Sequence, residues 1–328
     1  VRIVAVIGFG NIATRHRKNL KKLFPQCKLI AMSASGRIPT EQINDCDEIV
    51  SSIEEIIKFQ PKLTIVASAA SHHALHALPL IEAGIPVLIE KPLSMELSDS
   101  IILEDAALRY GTPVCVGYCL RYLSSALVIK GVLDSKEIGR VYNAHIEIGQ
   151  YLPDWRPNKD YRESVSAQAH LGGGALLELS HELDYAQWLL GPLKLQHAIL
   201  RTSEELALDV EDSADLVMVS KQSTLVNIHL DFLQRKAYRK CRFVGNAGVL
   251  EWDLIENNLR LIHPDGERIL YSDSQWDKNQ MYLNMIIDFV KNIEGKPHSC
   301  IDIKQARRTV SLIEAIKIFD SEKIEPYK

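Results

Sequence analysis

Several kinds of signal are scarce in this sequence. Six cysteines are scattered at positions 27, 46, 115, 119, 241 and 300 of 328 residues, and no CxxC pair occurs. Cys115 and Cys119 stand four apart, but no His or Cys cluster completes a tetrahedral zinc set, so no metal site is assigned. Reduced thiols and a cytoplasmic location are the expectation. The longest apolar runs fall far short of the ~20 residues of a spanning helix, and no membrane partner is expected. A net charge of −4 gives no electrostatic ground for a nucleic-acid or membrane-surface partner. Internal repeats and low-complexity segments are lacking too. The first residues, VRIVAVIGFG, already read as a strand and its turn. No signal peptide is expected ahead of them, and the missing initiator Met fits a processed or trimmed start.

What is present describes a globular protein. Hydrophobic residues make up 46% and charged residues 24%. A chain of 328 residues exceeds one ordinary core and suits two domains. Up to about Tyr122, strand runs (RIVAVI, KLIAMS, LTIVAS, PVLIE, PVCVGY) alternate with helical stretches. This pattern predicts a doubly wound parallel sheet over 1–122. From 123 to 328 the strands VYNAHIEIGQYL, ADLVMVS, TLVNIHLDFL, CRFVG and GVLEWDL lie closer together. Short turns between them predict an α/β domain with an open, mainly antiparallel sheet. In TLVNIHLDFL, Val226, Ile228 and Leu230 face one way and Asn227, His229 and Asp231 the other. A final amphipathic helix is expected over about 303–320.

The turn Gly8-Phe9-Gly10-Asn11-Ile12-Ala13 follows an apolar strand and opens a helix, as the GxGxx(G/A) dinucleotide pattern requires. Gly8 permits the tight turn, Gly10 lets a pyrophosphate reach the backbone, and Ala13 lets helix and strand pack closely. The helix N-terminus adds free N–H groups and partial positive charge. NAD sites carry an Asp or Glu about 20 residues on, at the ribose hydroxyls. Here the second strand ends AMSASGR, with no acid. Ser33, Ser35 and Arg37 suit a 2′-phosphate, and NADP is favoured over NAD. The alternative is an Arg37 that stacks on adenine or is solvated.

Residues 87–94 read VLIEKPLS. A buried strand ends there on Glu90 and Lys91, with Pro92 beyond. Ligands of open parallel sheets bind at the carboxyl ends of strands. A partly desolvated ammonium beside a cofactor can share in proton transfer. On residues alone, a surface ion pair closing a strand fits equally. Further on, GGGALLELSHELDYAQWLLG reads as one long helix. Leu176, Leu179, Leu183, Ala186 and Leu190 form its apolar stripe, with Glu178, His181, Tyr185 and Trp188 opposite. On residues alone, His181 reads as a partly exposed surface histidine.

GFGNIATRH, EAGIPVLIEKPLS, VGYCLRY and GGGALLELSHELDYAQWLLG together resemble the glucose–fructose oxidoreductase and inositol dehydrogenase family over nearly the whole chain. The resemblance implies an NAD(P)-dependent oxidoreductase acting on CH–OH groups of a sugar-like substrate. It implies that Lys91 contacts nicotinamide ribose and the reacting hydroxyl, and that Glu90 holds cofactor and lysine in place. The Lys–Pro bond is often cis in that family, a state open to proline. His181 aligns with the general base, whose ordinary pKa near 6.5 suits the task. Glu178 stands where close relatives have Asp, to orient the imidazole. His73 aligns with a histidine near the cofactor, and Ser68 joins the cofactor set; His72 and His76 read as bystanders. Arg121 and Tyr122 reach cofactor or substrate, while Cys119 replaces a frequent Asn. PDWRPNKDYRESVSAQAHLGGG reads as a loop over the substrate. In it, Arg162 aligns with a substrate-side arginine, and Trp155 and Tyr161 stack on a sugar face or pack the loop. Asp184 fixes its helix or touches substrate. The resemblance also implies that the final helix packs back near the first domain. The C-terminal sheet would then mediate a homodimer or homotetramer. The stretch DYR…GGGALLELSHELDY points to surface-polysaccharide sugars, as a sugar, sugar acid or nucleotide sugar. Two other readings remain: a redox-neutral lyase or hydrolase with tightly held NAD, and a non-catalytic dinucleotide-binding regulator.

Overall fold

Apolar runs without alternation suit strands buried on both faces. Such runs form β1 (Ile3–Ile7), whose residues from Val4 on are buried, and the shorter β4 (Thr64–Val66), β5 (Val87–Ile89) and β6 (Val114–Val116). The other strands of this sheet are β2 (Lys28–Met32) and β3 (Glu48–Val50). A computed structural model describes residues 2–40 and 43–322. It divides the chain into two units, Val1–Cys119 with Asn279–Val310, and Leu120–Lys278 with Ser311–Lys328.

The first unit is built on a six-stranded sheet in the order β3-β2-β1-β4-β5-β6, with every pairing parallel. Connecting helices are α1 (Asn11–Leu23), α2 (Ile53–Lys58), α3 (His73–Glu82) and α4 (Leu97–Tyr110). Strand order reverses between β1 and β4, the switch point at which open α/β sheets bind ligands. Register carries that point across the sheet. Ile7 pairs with Val66, Val66 with Ile89 and Ile89 with Val116. Gly8, Ala67, Glu90 and Gly117 therefore form the next row, just past the strand ends. α1 buries Ala13, His16, Arg17, Asn19 and Leu20 at helical spacing. Strand β3 is an addition to the sequence reading, which had no strand there.

The second unit holds an eight-stranded sheet in the order β14-β13-β12-β11-β7-β10-β9-β8. Before and within it come α5 (Ser124–Asp134), β7 (Val141–Gly149), α6 (Ala175–Glu178) and α7 (His181–Leu190). The remaining strands are β8 (Leu193–Arg201), β9 (Ser213–Ser220), β10 (Leu225–Asp231), β11 (Tyr238–Gly245), β12 (Val249–Asp253), β13 (Asn258–His263) and β14 (Gly266–Ser272). All pairings are antiparallel except that of β10 with β7. The expected alternation in β10 holds as far as Leu230: Val226, Ile228 and Leu230 are buried and Asn227 and His229 half-exposed, while Asp231, expected with the latter, is buried. The same inner face carries Phe243, Leu250, Trp252 and Leu261, all buried. The chain closes with α8 (Gln280–Ile293) and α9 (Ile303–Ser321). Among the described residues, no helix is long and apolar enough to cross a membrane.

One expectation about the second unit is corrected. The stretch 175–190 is not one helix. It breaks at Leu179 and Ser180 between α6 and α7, although Leu176, Leu179, Leu183 and Ala186 are buried and Glu178, His181 and Trp188 half-buried, as the two stripes required. Tyr185 faces inward: its hydroxyl lies 3.2 Å from Cys241 Sγ, and its ring packs edge-on to Trp252 at 5.5 Å.

Candidate functional site

In the first unit, the row past the strand ends builds a cradle. Gly8 has φ +117°, and a Cβ there would stand 2.5 Å from the Ala67 carbonyl oxygen. Only glycine brings β1 and β4 this close. Gly10 differs: it is exposed at the N-cap of α1, and a Cβ on it would meet nothing within 4 Å. The open space lies at the N-terminus of a 13-residue helix, where unpaired N–H groups favour an anion. The open space and the helix N-terminus are of a kind that would fit a dinucleotide's pyrophosphate. Behind the cradle lies a charge system that the sequence did not announce. Arg17 is buried, donates to the Gly8 carbonyl at 2.9 Å, and pairs with Asp45 at 2.7 Å. The i, i+3, i+4 spacing of Ala13, His16 and Arg17 was the available signal.

Glu90 is buried and Lys91 partly so. His16 donates from Nε2 to Glu90 Oε1 at 2.6 Å, and the Lys91 amide donates to Oε2 at 3.2 Å. The carboxyl lies over Gly117, 3.0 Å from where a Cβ would sit. Burial alone would raise the Glu90 pKa. The bond and charge of His16, then Lys91, outweigh it and hold the group below the usual carboxylate range. Glu90 is thus an anion at neutral pH, fixed next to Lys91. The Lys91–Pro92 bond is cis.

The remaining first-unit candidates cluster by loop. His73 is 1% exposed, with Nδ1 2.8 Å from the Pro92 carbonyl and Nε2 3.1 Å from the Ser68 carbonyl. Burial lowers its pKa, so the neutral ring donates to one carbonyl at a time. It ties the segment after β4 to the segment after β5. Ser33 and Ser35 bring their hydroxyls within 3.5 Å in the turn after β2, and Arg37 is exposed beyond them.

In the second unit, Glu178 ends α6 and His181 begins α7, both half-buried. The entry to α6 is held by Glu211, whose backbone carbonyl accepts from Ala175 N at 2.9 Å and whose carboxylate accepts from Leu176 N at 3.0 Å. Asp184 is 1% exposed and takes both oxygens to Arg121, at 2.8 Å from Nε and 2.6 Å from Nη2. Burial raises the Asp184 pKa and Arg121 opposes it. This bidentate pair anchors α7 to the 119–122 turn, with Tyr122 half-buried next along the chain. Residues 152–171 fold as successive 3-10 turns around a cavity of about 210 Å³ lined by Leu152, Trp155, Arg156, Tyr161 and Ser166. Trp155 donates to the Gln150 carbonyl at 3.3 Å and Tyr161 to the Leu206 carbonyl at 3.1 Å. Exposed Arg162 pairs with Asp160 at 3.0 Å.

Comparison with known proteins follows this geometry. Residues 2–118 match the GFO/IDH/MocA family described as an oxidoreductase family with an NAD-binding Rossmann fold, and residues 127–251 match the GFO/IDH/MocA C-terminal domain. An inositol 2-dehydrogenase of Saccharopolyspora erythraea is 32% identical over 170 residues, covering 51% of this chain and 46% of that protein. The chain thus spans about half the length of that relative. A levoglucosan dehydrogenase solved with NADH has a TM-score of 0.85 at 19% identity, over 98% of this chain and 97% of that one. A UDP-N-acetylglucosamine 3-dehydrogenase from Acidithiobacillus ferrooxidans has a TM-score of 0.76 at 17% identity, over 98% of each. At such identities the two structures establish the fold.

Proposed function

Because the chain belongs to the GFO/IDH/MocA family of oxidoreductases, we propose that it is an NAD(P)-dependent dehydrogenase. Its substrate is a CH–OH group of a sugar, sugar acid or nucleotide sugar. The observation that carries this reading is the cradle at β1 and β4: open at Gly10, closed at Gly8, and set on the N-terminus of α1. Residues 1–122 form the dinucleotide part and 123–328 the substrate part. Gly8, Phe9, Gly10, Asn11 and Ile12 hold the pyrophosphate; Ser68, His73 and Glu90 line the rest of the dinucleotide site. Ser33, Ser35 and Arg37 meet a 2′-phosphate, which favours NADP.

Bound nicotinamide supplies the acceptor for a hydride from the carbinol carbon. The protein does the rest. Lys91 holds and polarises the substrate oxygen, and His181 takes the hydroxyl proton as general base. Glu178 orients the imidazole. Asp184 fixes Arg121 toward the substrate, with Tyr122 beside it, and Trp155, Tyr161 and Arg162 contact the sugar. The GGGALLELSHELDY stretch supports a place in surface-polysaccharide sugar metabolism, carried out in the cytoplasm.

The open face of the second sheet supports packing against a second copy. It pairs its own charges, Lys240 with Asp253 at 2.8 Å and Arg242 with Glu251 at 3.4 Å, so a like face is not repelled. Sedimentation then reads a dimer or tetramer, and a monomer at micromolar concentration refutes this packing. The function is tested by titrating the full chain with NADPH and NADH and following nicotinamide fluorescence. Saturable binding that is lost with excess oxidised cofactor is expected; no binding of either sinks the reading.

A further inference from the structure

His181 is the first residue of α7, and two buried acids follow it closely. Asp184 takes Arg121, as described above. Glu182 takes another arginine. It is 0% exposed, and Arg239 of β11 donates to it twice, from Nε to Oε1 at 2.7 Å and from Nη2 to Oε2 at 3.1 Å. The Tyr185 hydroxyl donates to the same Oε1 at 3.2 Å. Its oxygen lies 3.2 Å from Cys241 Sγ, and burial holds that thiol well above its ordinary pKa, so the S–H remains to donate.

These contacts attach α7 to the sheet at two points. Glu182 and Tyr185 are three apart and share a face of α7. Arg239 and Cys241 are two apart and share a face of β11. β11 is an interior strand between β12 and β7, and Arg239 and Cys241 stand opposite Ile148 and Ile146 of β7. The Tyr185 ring meets Trp252 of β12 edge-on, and Trp252 pairs with Cys241. Attachment at two points along each element stops α7 from sliding on the sheet and from turning about its axis. At about 100° per residue, His181 projects between the anchors: Asp184 lies about 60° to one side of it, and Tyr185 about 40° and Glu182 about 100° to the other.

Energetics point the same way. A buried ion pair gains little over well-packed apolar side chains, because desolvation offsets its attraction. An apolar contact is also non-directional, whereas paired N–H···O bonds between guanidinium and carboxylate fix distance and plane. The pair supplies direction more than stability.

We infer that Glu182 and Arg239 are positioning residues: their ion pair, with Tyr185, fixes the rotation of α7 and so the direction in which His181 presents its imidazole. This rests on the reading of His181 as general base. Neither residue touches a reacting atom; both act through the backbone of α7.

The test reads His181 directly, through the NMR peak of its imidazole Cε1–H in the full chain with isotope-labelled histidine. Loss of one peak in His181→Ala assigns it. The peak is compared in wild type, Arg239→Lys, the double variant Glu182→Leu/Arg239→Met, and Leu261→Ala, which opens a cavity on β13, two strands from β11. The double variant exchanges the ion pair for apolar groups and should melt no lower than wild type, yet its His181 peak should move by more than its linewidth or split. Arg239→Lys keeps the charge but not the paired bonds, and its peak should fall between the two. Leu261→Ala should melt earlier and leave the peak in place. On the sugar or nucleotide sugar that wild type turns over fastest, the double variant should lose about tenfold or more in kcat, with cofactor affinity unchanged. An unmoved peak in the double variant overturns the inference. So does an equal movement in Leu261→Ala, or a wild-type kcat beside a moved peak. If the double variant does not fold, Arg239→Lys decides: a peak at the wild-type position overturns the inference. Wild type that turns over no sugar refutes the general-base reading, while the peak still decides whether the pair orients the imidazole.

Discussion

Glu90 shows how one side chain serves two structural demands. A buried carboxylate is costly unless its charge is met and its oxygens are bonded. His16 meets it from α1 and the Lys91 amide bonds it from its own strand end. The residue therefore belongs to the floor of the cradle as much as to the EKP segment. Sequence alone showed Glu90 and Lys91 as a pair; it did not show His16, because a histidine six residues into a helix carries no label until its partner is known. Two other histidines make a pH prediction. His76 has a folded pKa of about 4, below the unfolded value. The unfolded chain then binds the extra proton, so His76 contributes stability above about pH 6.5 that is lost as pH falls toward 4. His229 is the reverse. Its hydrogen bond to Asp231 raises it, burial opposes, Asp215 raises it further, and the value reaches about 9. Its contribution is full below about pH 6.5 and lost as pH rises through about 9. Melting temperature should therefore fall on both sides of pH 6.5. His229→Gln should flatten the alkaline limb and leave the acid limb intact; an unchanged alkaline limb contradicts the assignment.

At the scale of elements, the glycine turn separates stability from binding. Gly8→Ala puts a Cβ against the Ala67 carbonyl at a positive φ, so the variant should be destabilised by several kcal/mol, about 2 or more. Gly10→Ala meets no atom within 4 Å and should cost no more than about 1 kcal/mol as an N-cap change. It should nonetheless weaken dinucleotide binding at least about tenfold, by filling the space above the helix N-terminus. Urea melts and cofactor titration on the two variants check this; a Gly10→Ala protein that binds as wild type contradicts the cradle. The same turn explains what was legible in the sequence. β1, β4, β5 and β6 are unbroken apolar runs, and β10 alternates strictly, so burial wrote them plainly. β3 is three residues long, and β14 is a mostly exposed strand at the sheet edge; neither has a period to read. For β13 and β14, the signal was the two-residue turn Pro264–Asp265 between them, followed by Gly266. The break between α6 and α7 was hidden because Leu176, Leu179 and Leu183 keep helical spacing across it.

For the whole molecule, the proposal joins residues from two parts of the chain. Lys91 follows β5 in the first unit, and His181 opens α7 in the second. Each is held by its own surroundings: Lys91 beside anionic Glu90, and His181 at the start of the helix that Arg121 and Asp184 anchor. The family match spans both parts, and the reading requires the two side chains to act on one substrate oxygen. The most direct measurement is nicotinamide reduction over a panel of sugars and nucleotide sugars, by wild type, Lys91→Met, His181→Ala and the double variant. The account predicts turnover by wild type and a loss in kcat/KM of about a hundredfold or more for each single variant. It also predicts a double variant within about tenfold of the worse single, as groups acting as a unit behave. Single variants that keep the wild-type rate on the best substrate, or losses that multiply in the double variant, would contradict it.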